Sequence, residues 1–374
     1  MDRENAMAIW MAAMHLLLTS GGAPVARVAK VENCGLLFTD NGAGVSGTDC
    51  GYSVPIGRQT LWLFGDVFLL APADPQRPYV GGVSNCGLVV PAGNGVRPLS
   101  RARFLTNPAS GLARALLPNR PGEDSHVRYW LFGSHFGPAT GRLHTWYARI
   151  ETTGGGGPFD FRTTGHGLAV ADTGDLAHFE FRPLPGPSGA VEWWPAGSES
   201  PLFGNAVLDA GRTIYVYGMR DRAGRRECLL ARVDADRLET LSAYEYLADA
   251  GHWTADPRAA AAVAGIDGAS EMTVAWNGFL RKYLAVASVG LSERCRLSTA
   301  DHPWGPFEQL AEIGTPHQAF ARSFCYAAKE HPEMAERGGK VIYITYVDQQ
   351  RYWLQLLRVT LAPPGRDHLP VVGR

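Results

Sequence analysis

Thr60-Leu61-Trp62-Leu63-Phe64-Gly65 is echoed by Arg128-Tyr129-Trp130-Leu131-Phe132-Gly133 and again by Thr213-Ile214-Tyr215-Val216-Tyr217-Gly218. Looser copies follow in Lys282-Tyr283-Leu284-Ala285-Val286-Ala287-Ser288 and Lys340-Val341-Ile342-Tyr343-Ile344-Thr345-Tyr346. Each is a near-continuous apolar run rich in aromatic and β-branched residues, which marks a strand covered on both faces. A second apolar segment follows each copy, at 85–90, 143–150, 227–233, 293–298 and 353–359. A preceding one recurs at 51–55, 204–208, 271–276 and 324–328. Copies lie roughly 60 to 85 residues apart, which leaves room for four short strands each. Five such units predict an all-β, five-bladed β-propeller of four-stranded antiparallel blades, with Gly35-Leu36-Leu37-Phe38 adding the last strand of blade five. The rival architecture is a β-sandwich followed by a second β domain; the even distribution of copies favours the propeller. Helical periodicity is confined to the N-terminus, 107–117 and 257–264. The expected organisation is an N-terminal segment over 1–30 and one propeller domain over 31–374.

Composition narrows the function. The 374 residues include 36 acids against 35 Lys+Arg, for a net charge of -1. A nucleic-acid binder needs a basic surplus or stripe, so no nucleic-acid partner is expected. Only Lys30, Lys282, Lys329 and Lys340 are lysines, so almost every cation is an arginine. Ala6 to Leu18 is apolar but too short to span a membrane. It has the length of a signal-peptide core, whereas Met1-Asp2-Arg3-Glu4-Asn5 carries the wrong charge for a secretory leader. The chain is secreted or periplasmic if residues 1–26 are a leader, and cytoplasmic if they form a buried helix. Cys34, Cys50, Cys86, Cys228, Cys295 and Cys325 include no CxxC pair and no zinc-like cluster. They read as buried free thiols, the alternative being a disulfide among Cys34, Cys50 and Cys86 in an exported protein. Gly154-Gly155-Gly156-Gly157 has no following Lys-Ser/Thr and reads as a flexible turn. No metal or cofactor is expected from any motif.

Two motifs reach beyond architecture. Gly47-Thr48-Asp49-Cys50-Gly51-Tyr52-Ser53-Val54-Pro55, then Gly57-Arg58-Gln59-Thr60-Leu61-Trp62-Leu63-Phe64-Gly65-Asp66, resembles the first blade of a group of bacterial five-bladed propellers formerly classed as a domain of unknown function. That group's pattern is Gly-x-Asp-Gly-Gly-x-Ser, then Leu-Trp-x-Phe-Gly-Asp-Thr, and it resembles the endo-D-arabinanases of glycoside hydrolase family 183, distantly also families 43 and 32. Ser298-Thr299-Ala300-Asp301-His302-Pro303-Trp304-Gly305-Pro306-Phe307 and Thr173-Gly174-Asp175-Leu176-Ala177-His178-Phe179-Glu180 are similar to blade turns of those families. Cys50 replaces the first Gly of the pair and Val67 replaces the Thr, departures that touch the substrate more than the architecture.

The resemblance implies a carbohydrate substrate of the furanose-polysaccharide class. Glycoside hydrolysis needs one carboxyl that donates a proton and another that acts as base or nucleophile. Inner strands converge on a central funnel, so acids from different blades are the candidates: Asp49 and Asp66 as base or nucleophile, Glu271 or Glu199 as acid. The competing reading of each is a turn or surface carboxylate. Tyr52, Asn85, His135, Trp193, Trp194, Asn205 and Arg322 are candidate substrate-binding residues. His135 is included because it follows Phe132-Gly133-Ser134 where Asp66 follows Phe64-Gly65. Two other functions compete: a non-catalytic carbohydrate-binding propeller, and an intracellular enzyme of small-molecule biosynthesis that has lost hydrolase chemistry.

Overall fold

The computed structural model describes residues 27–70, 79–155, 160–249, 251–315 and 324–363. The first strand, β1 (Arg27–Leu36), belongs with the last ones. Blade one holds β2 (Val45–Ile56), β3 (Gln59–Leu70), β4 (Tyr79–Val83), β5 (Cys86–Pro91) and β6 (Arg103–Phe104). Blade two holds β7 (Val127–Gly137), β8 (Arg142–Thr152), β9 (Phe161–Asp172), β10 (Arg182–Pro183) and β11 (Trp194–Pro195). Blade three holds β12 (Leu202–Ala210), β13 (Thr213–Arg222), β14 (Arg225–Asp234), β15 (Glu245–Asp249) and β16 (His252–Thr254). Blade four holds β17 (Met272–Asn277), β18 (Lys282–Ser288), β19 (Arg294–Ala300) and β20 (Glu308–Gly314). Blade five is β21 (Cys325–Glu330), β22 (Val341–Asp348) and β23 (Trp353–Ala362), with β1 paired antiparallel to β23 as its outermost strand.

The innermost strands β2, β7, β12, β17 and β21 pack side by side and close into a ring, β21 meeting β2. The molecule is a five-bladed β-propeller. Strand β1 fastens the ring shut by pairing the front of the chain with its end. That closing strand runs earlier than Gly35–Phe38, because Val31 pairs with Val359 and register shifts let the strand follow β23.

Apolar runs become strands whose both faces meet neighbouring blades, so Leu61, Trp62, Leu63 and Phe64 of β3 are all buried. The repeat copies sit on the second strand of blades one, three, four and five, but in blade two the copy is the inner strand β7. Neither helical expectation within the described chain holds. Residues 107–117 form turns: Gly111 has φ 71°, and Asn85 takes the backbone N–H groups of Leu116 and Leu117 that a helix would have used. Of 257–264 only Pro257–Ala259 makes a 3-10 turn. The expected N-terminal helix over 1–26 lies outside the described residues. No described helix is long and apolar enough to cross a membrane.

Candidate active site

The site begins with an irregularity in β2. Its pairing with β3 slips between Thr48 and Cys50 and again between Cys50 and Tyr52, and Cys50 and Gly51 have φ 61° and 83°. Two consecutive left-handed residues make a bulge that re-aims the neighbouring side chains. Gly65 of β3 makes room for it: a Cβ there would stand 2.3 Å from Asp49 Oδ1 and 2.7 Å from Cys50 Sγ. Strand β21 is irregular as well, slipping between Tyr326 and Lys329 with Ala327 at φ 57°.

These distortions gather acids at the funnel mouth, the end where the inner strands begin. Asp49 Oδ2 accepts hydrogen bonds from the hydroxyls of Tyr326 and Tyr352, both at 3.0 Å, while Oδ1 is buried without a partner. Burial raises the Asp49 carboxyl to about 8, and the Glu271 and Asp66 carboxylates add to that against the two tyrosine bonds. Asp66 interrupts the apolar run of β3, and its Oδ2 accepts from Arg128 Nη1 at 2.6 Å. Burial raises the Asp66 carboxyl, and the Arg128 guanidinium opposes the rise.

Glu271 immediately precedes β17, with Oε1 3.0 Å from the Lys329 ammonium. Lys329 is 0% exposed, donates to the Ala327 carbonyl at 2.8 Å, and rests over the Tyr52 ring at 4.6 Å from its centroid. Beside this group a cavity of about 570 Å³ opens among blades three, four and five, lined by Arg226, Ser270, Glu271, Ser288, Leu291 and Tyr326. That volume is within the range of small-ligand sites. Among the described residues no group of three or more His, Cys, Asp or Glu is arranged to hold a metal ion.

Glu271, from another blade, and Asp66, from the adjoining strand, thus both act electrostatically on Asp49. The remaining expectations divide. Tyr52 donates to the Asn205 carbonyl at 2.6 Å, and Asn205 Nδ2 donates to the Ser270 carbonyl at 2.7 Å. Both are buried, and they brace the Ser270-Glu271 backbone from behind instead of facing the cavity. Asn85 is spent on the 116–117 turn and the Tyr129 carbonyl, so its amide has nothing left to offer a substrate. Trp193 and Trp194 are buried in the core between blades two and three, their indole N–H groups donating to the Leu184 carbonyl and the Tyr246 hydroxyl.

Glu199 is exposed in the turn before β12, with φ 54°, 3.5 Å from Arg222 and apart from the other acids. His135 lies at the opposite end of the propeller, beside Asp209 at 3.2 Å. The match to Asp66 fails because β7 is an inner strand and β3 a second strand running the other way. Arg322 lies outside the described residues. Five cysteines are buried, Cys34 is exposed, and none of the six is paired. Burial pushes the Cys50 thiol well up, with Glu271 and Asp49 adding to it.

Four residues escaped the sequence reading. Lys329 left a trace, as one of four lysines and the one closing an apolar inner-strand run. Arg128 heads the second repeat copy, Tyr326 reads as strand filler, and Tyr352 sits in a hairpin turn with no motif around it.

The fold and the site together define a five-bladed propeller with a carboxylate cluster at the mouth of its axis. The chain belongs to the family described as Domain of unknown function (DUF4185), whose model matches residues 37–358. No curated protein matches it. Among solved structures it is similar to the GH43_1 enzyme from Xanthomonas citri, at 14% identity and TM-score 0.49, covering 90% of this chain and 96% of that one. It is also similar to the α-L-arabinofuranosidase PaAbf62A from Podospora anserina, at 10% identity and TM-score 0.44, covering 91% and 98%. The family 117 glycoside hydrolase Zg3597 of Zobellia galactanivorans is a third, at 10% identity and TM-score 0.45, covering 90% and 91%. At such identities the likeness is one of fold.

Proposed function

We propose that the protein is a glycoside hydrolase whose chemistry is carried by Asp49 and Glu271. The observation behind this reading is the contrast between the two groups. Asp49 keeps its proton up to about 8 because it is buried beside Glu271 and Asp66 with one oxygen unpartnered. Glu271 borders the cavity with a buried ammonium at 3.0 Å. Two carboxyl groups in unlike environments are what acid/base cleavage of a glycosidic bond requires.

In this assignment Asp49 gives its proton to the departing glycosidic oxygen as the bond to the anomeric carbon breaks. Glu271 acts on the other side of the sugar as base or nucleophile, and burial, with the neighbouring Glu271 and Asp66 carboxyls, keeps Asp49 protonated. The roles are the reverse of those expected from sequence, because burial and like charge fall most heavily on Asp49. The first-blade motif and its likeness to arabinanases support a furanose-containing, arabinan-like polysaccharide as the substrate.

The test is hydrolysis of arabinan, arabinoxylan and xylan by Asp49→Asn and Glu271→Gln. Each is expected to lower kcat/KM by about 10²- to 10⁴-fold on the glycan the wild type cleaves. Unchanged rates for both variants would refute the reading.

A further inference from the structure

A second cavity lies away from the funnel mouth. It measures about 640 Å³ and lies between blades four and five at the opposite end, where β17 finishes and β21 turns into the segment 331–339. Glu271 stands before β17 and Trp276 near its end. At about 3.3 Å per residue the two are about 16 Å apart along the strand, so the two cavities are separate.

Three features of this second cavity are those of a ligand site. Trp276 is 52% exposed on its wall, its ring held edge-on by Tyr283 at 5.2 Å, so a large flat apolar surface faces solvent in a fixed orientation. Glu330, which lines the same cavity, is 4% exposed, and its Oε2 is buried without a partner. An orphaned buried carboxyl oxygen costs stability and calls for a hydrogen-bonding group. Arg337 is exposed on the rim in a left-handed conformation, φ 54°, and has no carboxylate partner among the described residues.

We propose that this cavity is a second binding site, for a neutral saccharide, with one sugar ring stacked on Trp276 and its hydroxyls bonded to Glu330 and Arg337. The chemistry selects against the alternatives. An amine would meet the free guanidinium of Arg337, and a phosphate would meet the carboxyl of Glu336. A polyol with one apolar face satisfies the indole, the acceptor and the donor together. Burial and the neighbouring Glu333 carboxyl raise Glu330 to about 8, so near neutrality it offers a hydroxyl donor as well as an acceptor. A polysaccharide chain held here would stay tethered to the protein while its other segments visit the funnel.

The experiment is native electrophoresis in gels containing soluble arabinan, arabinoxylan or xylan, with wild type, Trp276→Ala, Glu330→Gln and Asp49→Asn side by side. At least one polysaccharide should retard the wild type. Trp276→Ala should weaken that binding about tenfold, and Glu330→Gln about threefold. Asp49→Asn should be retarded like the wild type, and Trp276→Ala should hydrolyse a short chromogenic furanoside at the wild-type rate.

Retardation of Trp276→Ala equal to the wild type in every gel would overturn the site, as would a wild type that no polysaccharide retards. Loss of chromogenic hydrolysis in a folded Trp276→Ala would also overturn it as a separate site. A wild type that is retarded but cleaves nothing would sink the hydrolase reading and leave the second site standing.

Discussion

Glu123 and Asp49 are both carboxyls that accept tyrosine hydroxyls, and the protein drives them in opposite directions. On blade two, Glu123 accepts from Tyr129 at 3.0 and 2.9 Å, from Arg120 at 3.1 and 2.8 Å, and from Arg149 at 3.3 Å. Burial pushes it up, but the Arg120 and Tyr129 bonds outweigh burial and hold it at about 2. Asp49 has Tyr326 and Tyr352 but no cation of its own, and its charged neighbours are Glu271 and Asp66. It sits at about 8. The tyrosines are common to both, so the deeper burial of Asp49 and the arginines around Glu123 decide. Where arginines surround an acid the fold gains a tie, and where acids surround an acid it holds a proton ready to give.

The largest expected effect separates the two directly. Asp49→Asn should cut kcat by about 10²- to 10⁴-fold, whereas Glu123→Gln should leave kcat within about twofold, read by glycan hydrolysis. Comparable activity losses in both would erase the distinction. At the mouth Lys329 is the cation paired with Glu271, as Arg128 is the one paired with Asp66. Lys329→Met strands a buried carboxylate and should cost about 3–5 kcal/mol in denaturant unfolding, with the double variant Lys329→Met/Glu271→Gln recovering part of it. No recovery would mean that the pair is not coupled.

Gly65→Ala tests the space that lets Asp49 and Cys50 sit together. The new methyl has 2.3 Å to Asp49 Oδ1, so a stability loss of about 1–3 kcal/mol and a fall in kcat are expected together. Glu123→Gln should lose about 1–3 kcal/mol with no fall in kcat.

The smallest effect is in pH dependence, and its sign differs between the two acids. Asp49 is raised on folding, so its contribution to stability is full below the ordinary carboxylate range and is lost as pH rises through about 8. Glu123 is lowered, so its contribution is present above the ordinary range and is lost as pH falls through about 2. Thermal unfolding across pH should show a shallower decline toward alkali in Asp49→Asn and a shallower decline toward acid in Glu123→Gln. The kcat/KM profile of the wild type should bend downward on its alkaline side near pH 8, where Asp49 loses its proton.

Chain order and hydrophobic pattern were enough for the architecture. Apolar runs such as Thr60–Gly65 have no polar face to turn to water, and repeating them around the chain leaves radial packing as the way to cover them all. They were also enough to place Asp49 and Asp66 on adjoining strands, since both belong to one blade motif. They were not enough for blade two, whose copy of the repeat became an inner strand and carried His135 to the far end. An aromatic run looks the same in sequence whether it lies first or second in a blade.

Nor does sequence show which acids meet across blades. Glu271, Lys329, Tyr326 and Tyr352 come together through two β-bulges and ring closure, and a bulge is a property of strand pairing, invisible in either strand alone. Residue types and repeats determined a propeller with acids near its axis. Tertiary structure alone decided which acid is buried beside like charge and which beside an ammonium, because a carboxyl's proton is held by its neighbours in space and not by its neighbours in the chain.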